Sequence, residues 1–280
     1  MHKLKTYGSF IKVEHTLFSF PLILSGAFLA ARGVPNIRLL LLIVLAGVGA
    51  RTAALGLNRI IDKEIDRSNP RTVGRELPSG EIMLLEALLI VGSGITIYSI
   101  AAYLICDLVF YLSPIPLVVF VLYPYMKRFT YLCHFGVGLG LALAPLGGWI
   151  AVKCSLNGIF PALVLSIFTL FWVSGFDIIY ATLDEEFDRQ SGVHSLVARF
   201  GKRNALLVSA VLHLMAFLLL AALYITEFRS VYAFLFLIVT GFFLFLEHRK
   251  SSDVDLAFFK INILVGFFVF IFILSGIYLT

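Results

Sequence analysis

Two acidic runs interrupt an otherwise apolar chain. The stretch "NRIIDKEIDRSNPRT" (58–72) spaces Asn58, Asp62 and Asp66 four residues apart. On a helix such positions stack on one face, each about one turn from the next. The stretch "DIIYATLDEEFD" (177–188) repeats the spacing with Asp184 and Asp188, and places Asp177 and Tyr180 on roughly the same stripe. Four carboxylates that converge repel one another unless a cation joins them. Hard oxygen ligands in this number suit Mg2+, which favours a few carboxylates together with substrate phosphates. Arg67 and Arg71 follow the first run, and Lys127 and Arg128 close "YPYMKR" (123–128). These cations suit phosphate oxygens that a metal does not reach. The residues therefore read as a site for a magnesium-bridged diphosphate, where metal and cations stabilise pyrophosphate as it leaves. An allylic tail on that diphosphate would depart as a carbocation. The bland alternative is solvated charge at helix ends, which is what one D-x-x-x-D usually means, and Lys127–Arg128 alone would be an ordinary basic flank. Two matched copies outweigh it. Glu64, Glu185 and Glu186 fall off the stripe and read as solvated.

The elements that must carry these residues are membrane helices. The 280 residues are 60% hydrophobic and 14% charged, with 27 Phe, whereas soluble domains are about half apolar and a quarter charged. A bilayer core takes roughly 20 apolar residues as helix. Nine spans are expected, near 16–31, 39–58, 82–106, 108–126, 132–152, 159–183, 205–226, 231–246 and 258–279. The "SPIP" at 113–116 would kink the fourth rather than end it. The N-terminus, with Lys3, Lys5 and Lys12 before an apolar run ending in "AFLAA", mimics a signal peptide but reads as the first span, since many more follow. With the N-terminus cytoplasmic, sixteen of the 22 Lys and Arg fall on cytoplasmic segments. Arg32, Arg38, Lys153 and Arg229 fall on the other side, and Arg51 and Arg59 lie within the second helix. This asymmetry follows the positive-inside rule, and it accounts for the net charge of +5 without nucleic acid. The acidic runs end helices two and six, four crossings apart, and so reach the same face as a weak internal repeat. The expected architecture is all-α and polytopic: nine transmembrane helices in one bundle of two four-helix-like halves, a single domain over 1–280. Cys106, Cys133 and Cys154 are scattered and argue against a disulfide framework or a zinc site.

Three stretches resemble one family. "NRIIDKEIDRSNPRTVGRELPSG" (58–80) is similar to the first signature of the UbiA superfamily of membrane prenyltransferases, and "DIIYATLDEEFDRQSGVHSLVARFG" (177–201) to the second. "YPYMKR" resembles the family's Y-x-x-x-K element. The resemblance implies that Asn58, Asp62, Asp66, Asp184 and Asp188 hold two Mg2+ ions on a polyprenyl diphosphate. It implies that Arg67, Arg71 and Lys127 bind the diphosphate and that Tyr123 lines the reaction site. The isoprenoid tail would lie in an apolar tunnel open to the lipid bilayer. An electron-rich ring would attack the allylic cation, and Asp177 or Asp62 would help remove the ring proton. Lys12 and His15 are candidates for a basic residue that the family uses near the first helix.

Within the superfamily, the complete second D-x-x-x-D argues against haem O synthases, and Arg59 after Asn58 against chlorophyll synthases. The first motif also differs from that of the MenA-type naphthoate enzymes. The resemblance is nearest to the 4-hydroxybenzoate polyprenyltransferase group, while "EHTLFSFP" (14–21) is similar to futalosine-route menaquinone relatives. The implied activity is Mg2+-dependent transfer of a polyprenyl group to the ring carbon of a small aromatic acid in ubiquinone or menaquinone biosynthesis. A dihydroxynaphthoate is the alternative acceptor. The enzyme would sit in the cell inner membrane, with its active site cytoplasmic and no obligate protein partner evident. A transporter would be expected to place its acids near mid-bilayer. A CDP-alcohol phosphatidyltransferase would carry D-G-x-x-A-R, which is absent here.

Overall fold

The computed structural model describes residues 2–12, 16–254 and 256–279. Among them the chain forms only helices: α1 (His2–Phe10), α2 (Thr16–Ala31), α3 (Ile37–Ile61), α4 (Lys63–Ser68), α5 (Leu84–Ile105), α6 (Asp107–Leu112), α7 (Pro114–Met126), α8 (Cys133–Lys153), α9 (Phe160–Ala181), α10 (Glu185–Ser191), α11 (Leu196–Glu227), α12 (Val231–Arg249) and α13 (Asn262–Tyr278). Eight helical stretches are long and apolar enough to cross a bilayer, counting α6–α7 as one. The 16-residue α2 is apolar but shorter than these, and supplies the ninth expected element. The chain is thus an integral membrane protein.

Local chemistry sets the breaks. Asn36 caps α3, its side chain accepting from the Arg38 N–H. Cys106 is fully extended (φ −172°, ψ 163°) and separates α5 from α6, so the expected third and fourth spans do nearly touch. The "SPIP" segment interrupts the fourth span at Ser113 and restarts it with Pro114 in the first turn, where its missing N–H costs nothing. The seventh element starts earlier than the expected 205, because Leu196–Phe200 also coil before a break at Gly201 (φ 76°). The last span is entered through a π-helical turn, Leu256–Ile261.

The bundle is built around α9, which is apolar on all sides and buries Leu165, Phe168, Trp172, Val173, Ile178 and Ile179 completely. α8 and α11 flank it, α12 packs on α13, and α3 packs on α5 and α7. α2 touches α8, α13, α9 and α3, and so joins the two halves. Lipid offers helices no hydrophobic drive to associate, so small residues that let backbones approach matter most. A Cβ at Gly26 would overlap the Pro145 carbonyl, and one at Gly148 the Ile23 carbonyl, so the α2–α8 crossing requires both glycines.

Candidate active site

The first acidic run straddles a joint. Asp62 ends α3 and begins α4 (φ −89°, ψ 3°). The backbone ladder nevertheless continues through it, with Asp62 N–H on Asn58 O at 2.9 Å and Asp66 N–H on Asp62 O at 2.8 Å. The one-turn spacing of the three side chains therefore survives the break. The Asn58 amide donates to Asp62 Oδ2 at 2.9 Å. The second run follows the end of α9, with Asp184 preceding α10 and Asp188 within it.

The loop after α4 brings the two runs together. Asn69 accepts the Arg71 N–H at 2.9 Å through its side-chain oxygen, a local turn that aims the Arg71 side chain. Asn69 Nδ2 then donates to Asp184 Oδ1 at 2.8 Å, and Arg71 Nε donates to the same oxygen at 2.8 Å. Arg71 also reaches the Tyr180 hydroxyl at 2.7 Å. Arg75 NH1 lies 2.7 and 2.8 Å from the two oxygens of Asp66. Lys127 Nζ donates to Asp62 Oδ2 at 2.7 Å, and Arg128 NH1 to Oδ1 at 3.3 Å. Both acidic runs and the "YPYMKR" cations thus share one site.

Each of these acids is held by a cation. Asp62, Asp66 and Asp184 have Lys127, Arg75 and Arg71 respectively. Burial alone would raise the Asp184 carboxyl, but the Arg71 and Asn69 hydrogen bonds outweigh it and hold it below its ordinary value. Burial works against the Lys127 charge, and Asp62 reverses that and raises it. Asp188 differs. Burial, then the Asp184 charge, push it up to about 6, against a Ser195 hydrogen bond that favours its ionised form. Among the described residues no three such ligands converge at metal-binding distance. Arg71 and Lys127, expected on a diphosphate, here hold carboxylates, because without other charges opposite partners within reach pair first.

All of these side chains except Arg128 line one cavity of about 740 Å³, as do Tyr123, Asp177 and Lys12. Its other end is apolar, with Phe20, Ile23, Ile43, Val109, Phe120 and Leu141 on the wall. Lys12 follows α1 in a left-handed conformation (φ 46°). His15 lies outside the described residues. Arg67 is exposed and off the cavity wall, since it sits one residue, about 100° of helix, from the acidic stripe. The donor chemistry fits a magnesium cluster: four carboxylates and an amide, all hard oxygen donors, face one chamber.

Four contributors escaped the sequence reading. Asn69 and Arg75 lay in a recognised loop but had no assigned partner. Arg51 lies within the α3 span and on the cavity wall, donating to Ser19 Oγ at 3.0 Å; a charge inside a membrane span was signal enough. His134 hydrogen-bonds Asp177 Oδ2 through Nδ1 at 2.7 Å, and a lone His at the start of an apolar helix gave no hint of it.

The family model described as the UbiA prenyltransferase family matches residues 19–264. Among curated relatives, the 4-hydroxybenzoate octaprenyltransferase of Aliivibrio salmonicida (strain LFI1238) is 30% identical, with 99% of each chain covered. The 4-hydroxybenzoate octaprenyltransferase of Vesicomyosocius okutanii subsp. Calyptogena okutanii (strain HA) is 34% identical over 65% of this chain and 66% of its own. Among solved structures, a UbiA homologue from Aeropyrum pernix K1 superposes with a TM-score of 0.86 at 31% identity, covering 91% of this chain and 95% of that one. A UbiA homologue from Archaeoglobus fulgidus bound to GPP and Mg2+ shares the fold, at a TM-score of 0.72 and 16% identity over 97% and 99% of the two chains.

Proposed function

We propose, from the premise that the chain belongs to the UbiA prenyltransferase family, that this prenyltransferase moves a polyprenyl group from an allylic diphosphate to a ring carbon of an aromatic acid of the 4-hydroxybenzoate class. The product would feed ubiquinone or menaquinone biosynthesis. One observation carries the reading. Two acidic runs more than a hundred residues apart line a single chamber, tied by Asn69 and Arg71 to Asp184, with an apolar gallery leading away from it.

Asn58, Asp62, Asp66, Asp184 and Asp188 would hold Mg2+. When bound, the metal would neutralise the diphosphate and make pyrophosphate a better leaving group. The chain's own residues do the rest. Arg71 and Lys127 turn from carboxylates to phosphate oxygens, where guanidinium and ammonium stabilise the charge that grows as the C–O bond breaks. The apolar wall around Phe20, Ile43 and Phe120 takes the isoprenoid tail and keeps water from the cation. Tyr123 lines the space between the acids and the tail. Arg51 presents a cation on the cavity wall within the membrane span, a partner for the acceptor's carboxylate. The ring π electrons attack the allylic carbon, and the ring proton passes to Asp177. Asp62, the other candidate, has its two oxygens taken by Lys127 and Arg128. Sixteen of the 22 basic residues favour a cytoplasmic N-terminus and site in a cell inner membrane.

Membranes containing the protein are to be incubated with Mg2+, farnesyl or longer polyprenyl diphosphate, and either 4-hydroxybenzoate or a dihydroxynaphthoate. The expected result is a C-prenylated acid and pyrophosphate, lost on chelation. Folded protein that prenylates no aromatic acid under these conditions overturns the reading.

A further inference from the structure

We propose that His134 is a positioning residue for ring deprotonation, holding Asp177 in the orientation of a proton acceptor. The inference rests on the prenyl-transfer reading above and assigns a role within it. His134 opens α8 and is 2% exposed. Its Nδ1 lies 2.7 Å from Asp177 Oδ2. Its Nε2 accepts the Leu196 backbone N–H at 3.3 Å. With Nε2 taken by that N–H, Nδ1 carries the hydrogen donated to Asp177.

The Leu196 N–H is not an incidental partner. Leu196 is the first residue of α11, whose leading N–H groups lack helical acceptors and carry the positive end of the helix dipole. That end directs an N–H at Nε2 and fixes the orientation of the ring. A further bond fastens the two strands of chain: Cys133 Sγ reaches His194 O at 3.3 Å. His134 is therefore gripped on both ring nitrogens, and Asp177 receives a fixed donor.

Asp177 contrasts with the acids around it. Asp62, Asp66 and Asp184 are each bound by Lys or Arg, which occupies oxygens that a ring proton would need. The partner of Asp177 is an imidazole held at both ring nitrogens, which orients the carboxylate through Oδ2. Its side chain remains 23% exposed on the cavity wall, leaving Oδ1 for the substrate. In the step itself, a ring π pair forms the new C–C bond as the allylic C–O bond breaks, its electron pair leaving with pyrophosphate. The ring C–H bond then breaks, its electrons restore aromaticity, and the proton moves to Asp177 Oδ1. The Nδ1–H···Oδ2 bond persists throughout, and the proton later passes to water.

The test compares wild type, His134→Leu and His134→Asn with 4-hydroxybenzoate and its 3,5-dideutero form. Prenyl-diphosphate-dependent thermal stabilisation of each variant reports an intact fold and binding site. His134→Leu is expected to lower kcat about tenfold to a hundredfold, leave KM for the diphosphate within about threefold, and produce a primary isotope effect absent from wild type. His134→Asn, whose amide keeps a donor near the Nδ1 position, is expected to restore most of kcat and abolish the isotope effect. A His134→Leu protein with unchanged kcat overturns the inference, as does a kcat loss with no isotope effect and no rescue by Asn. In either overturning case, prenyl transfer by the wild type leaves the prenyl-transfer reading standing.

Discussion

Arg71 binds Asp184 across 113 residues of sequence, with Nε 2.8 Å from Oδ1. The same guanidinium stacks on the Tyr180 ring, 4.9 Å from its centroid. Replacing Arg71 with Met should remove the bridge and a phosphate partner together, lowering kcat/KM about a hundredfold to a thousandfold. Asp184→Asn should be at least as damaging. The double variant should be far less than additive, since the two residues act as a unit. Initial rates of product formation for the four proteins check this.

The same geometry separates two neighbouring arginines. Arg75 holds both oxygens of Asp66, whereas Arg67 is exposed and off the cavity. Arg75→Ala should lower activity about tenfold or more, by removing the hydrogen bonds that hold both oxygens of Asp66 and leaving only the more distant Arg59 beside it. Arg67→Ala should leave kcat and KM within about twofold, as surface changes generally do. Kinetics that rank the two in the opposite order would reassign the diphosphate contacts.

These two arginines also show what a sequence can and cannot carry. Asp62 and Asp66 were legible because one-turn spacing persists through the α3–α4 joint. The spans were legible because lipid demands apolar length. The partners of Arg71 and Arg75 were not, since a loop's side chains acquire direction only from the turn at Asn69 and from α9–α10, far away in sequence. His134 and Asp177 lie 43 residues apart on different helices, and no periodicity links them. Arg51 was visible as a charge in a span, but with no cavity yet known it had nothing to face.

Asp188 predicts a pH dependence. Burial and the Asp184 charge raise its carboxyl from 3.8 to about 6. A folded-state value above the ordinary one contributes stability that is complete below 3.8 and lost as pH rises through about 6, so the metal-free protein carries a buried charge at pH 7. Divalent cations bind the ionised form. Mg2+ with a prenyl diphosphate should therefore raise Tm at pH 7.5 and do so far less at pH 5. Melting curves at both pH values decide it, and equal gains would exclude Asp188 from the metal site.

Adjacent glycines in α8 should behave differently. A Cβ at Gly147 meets nothing within 4 Å, and the residue lines the cavity. Gly147→Leu should leave the fold intact and shorten the prenyl chain accepted, read by mass spectrometry of products from diphosphates of graded length. Gly148→Ala presses into the α2 backbone, 2.9 Å from Ala27 N, and should destabilise by about 1–3 kcal/mol.

Glu247 is fully buried among α11, α12 and α13, with Oε1 accepting from Asn262 Nδ2 at 3.1 Å and Oε2 3.7 Å from His213 Nδ1 without a hydrogen bond. Glu247→Gln keeps the acceptor for Asn262 and removes a buried acid whose second oxygen makes no hydrogen bond. Its Tm should rise while prenyl transfer is unchanged; a fall in Tm would show that the ionised form is structural.

The pairing of Lys127 with Asp62 and of Arg71 with Asp184 has a consequence for the order of events. A divalent ion arriving alone would strand two basic side chains, and a diphosphate arriving alone would meet carboxylates. Arriving together they permit a metathesis, in which acids trade ammonium and guanidinium for metal while those cations trade carboxylate for phosphate. The two ligands should consequently recruit one another. Departure of the spent pyrophosphate and metal would let the original couples re-form, so that Asp62 and Asp184 would regain their cations in the same movement.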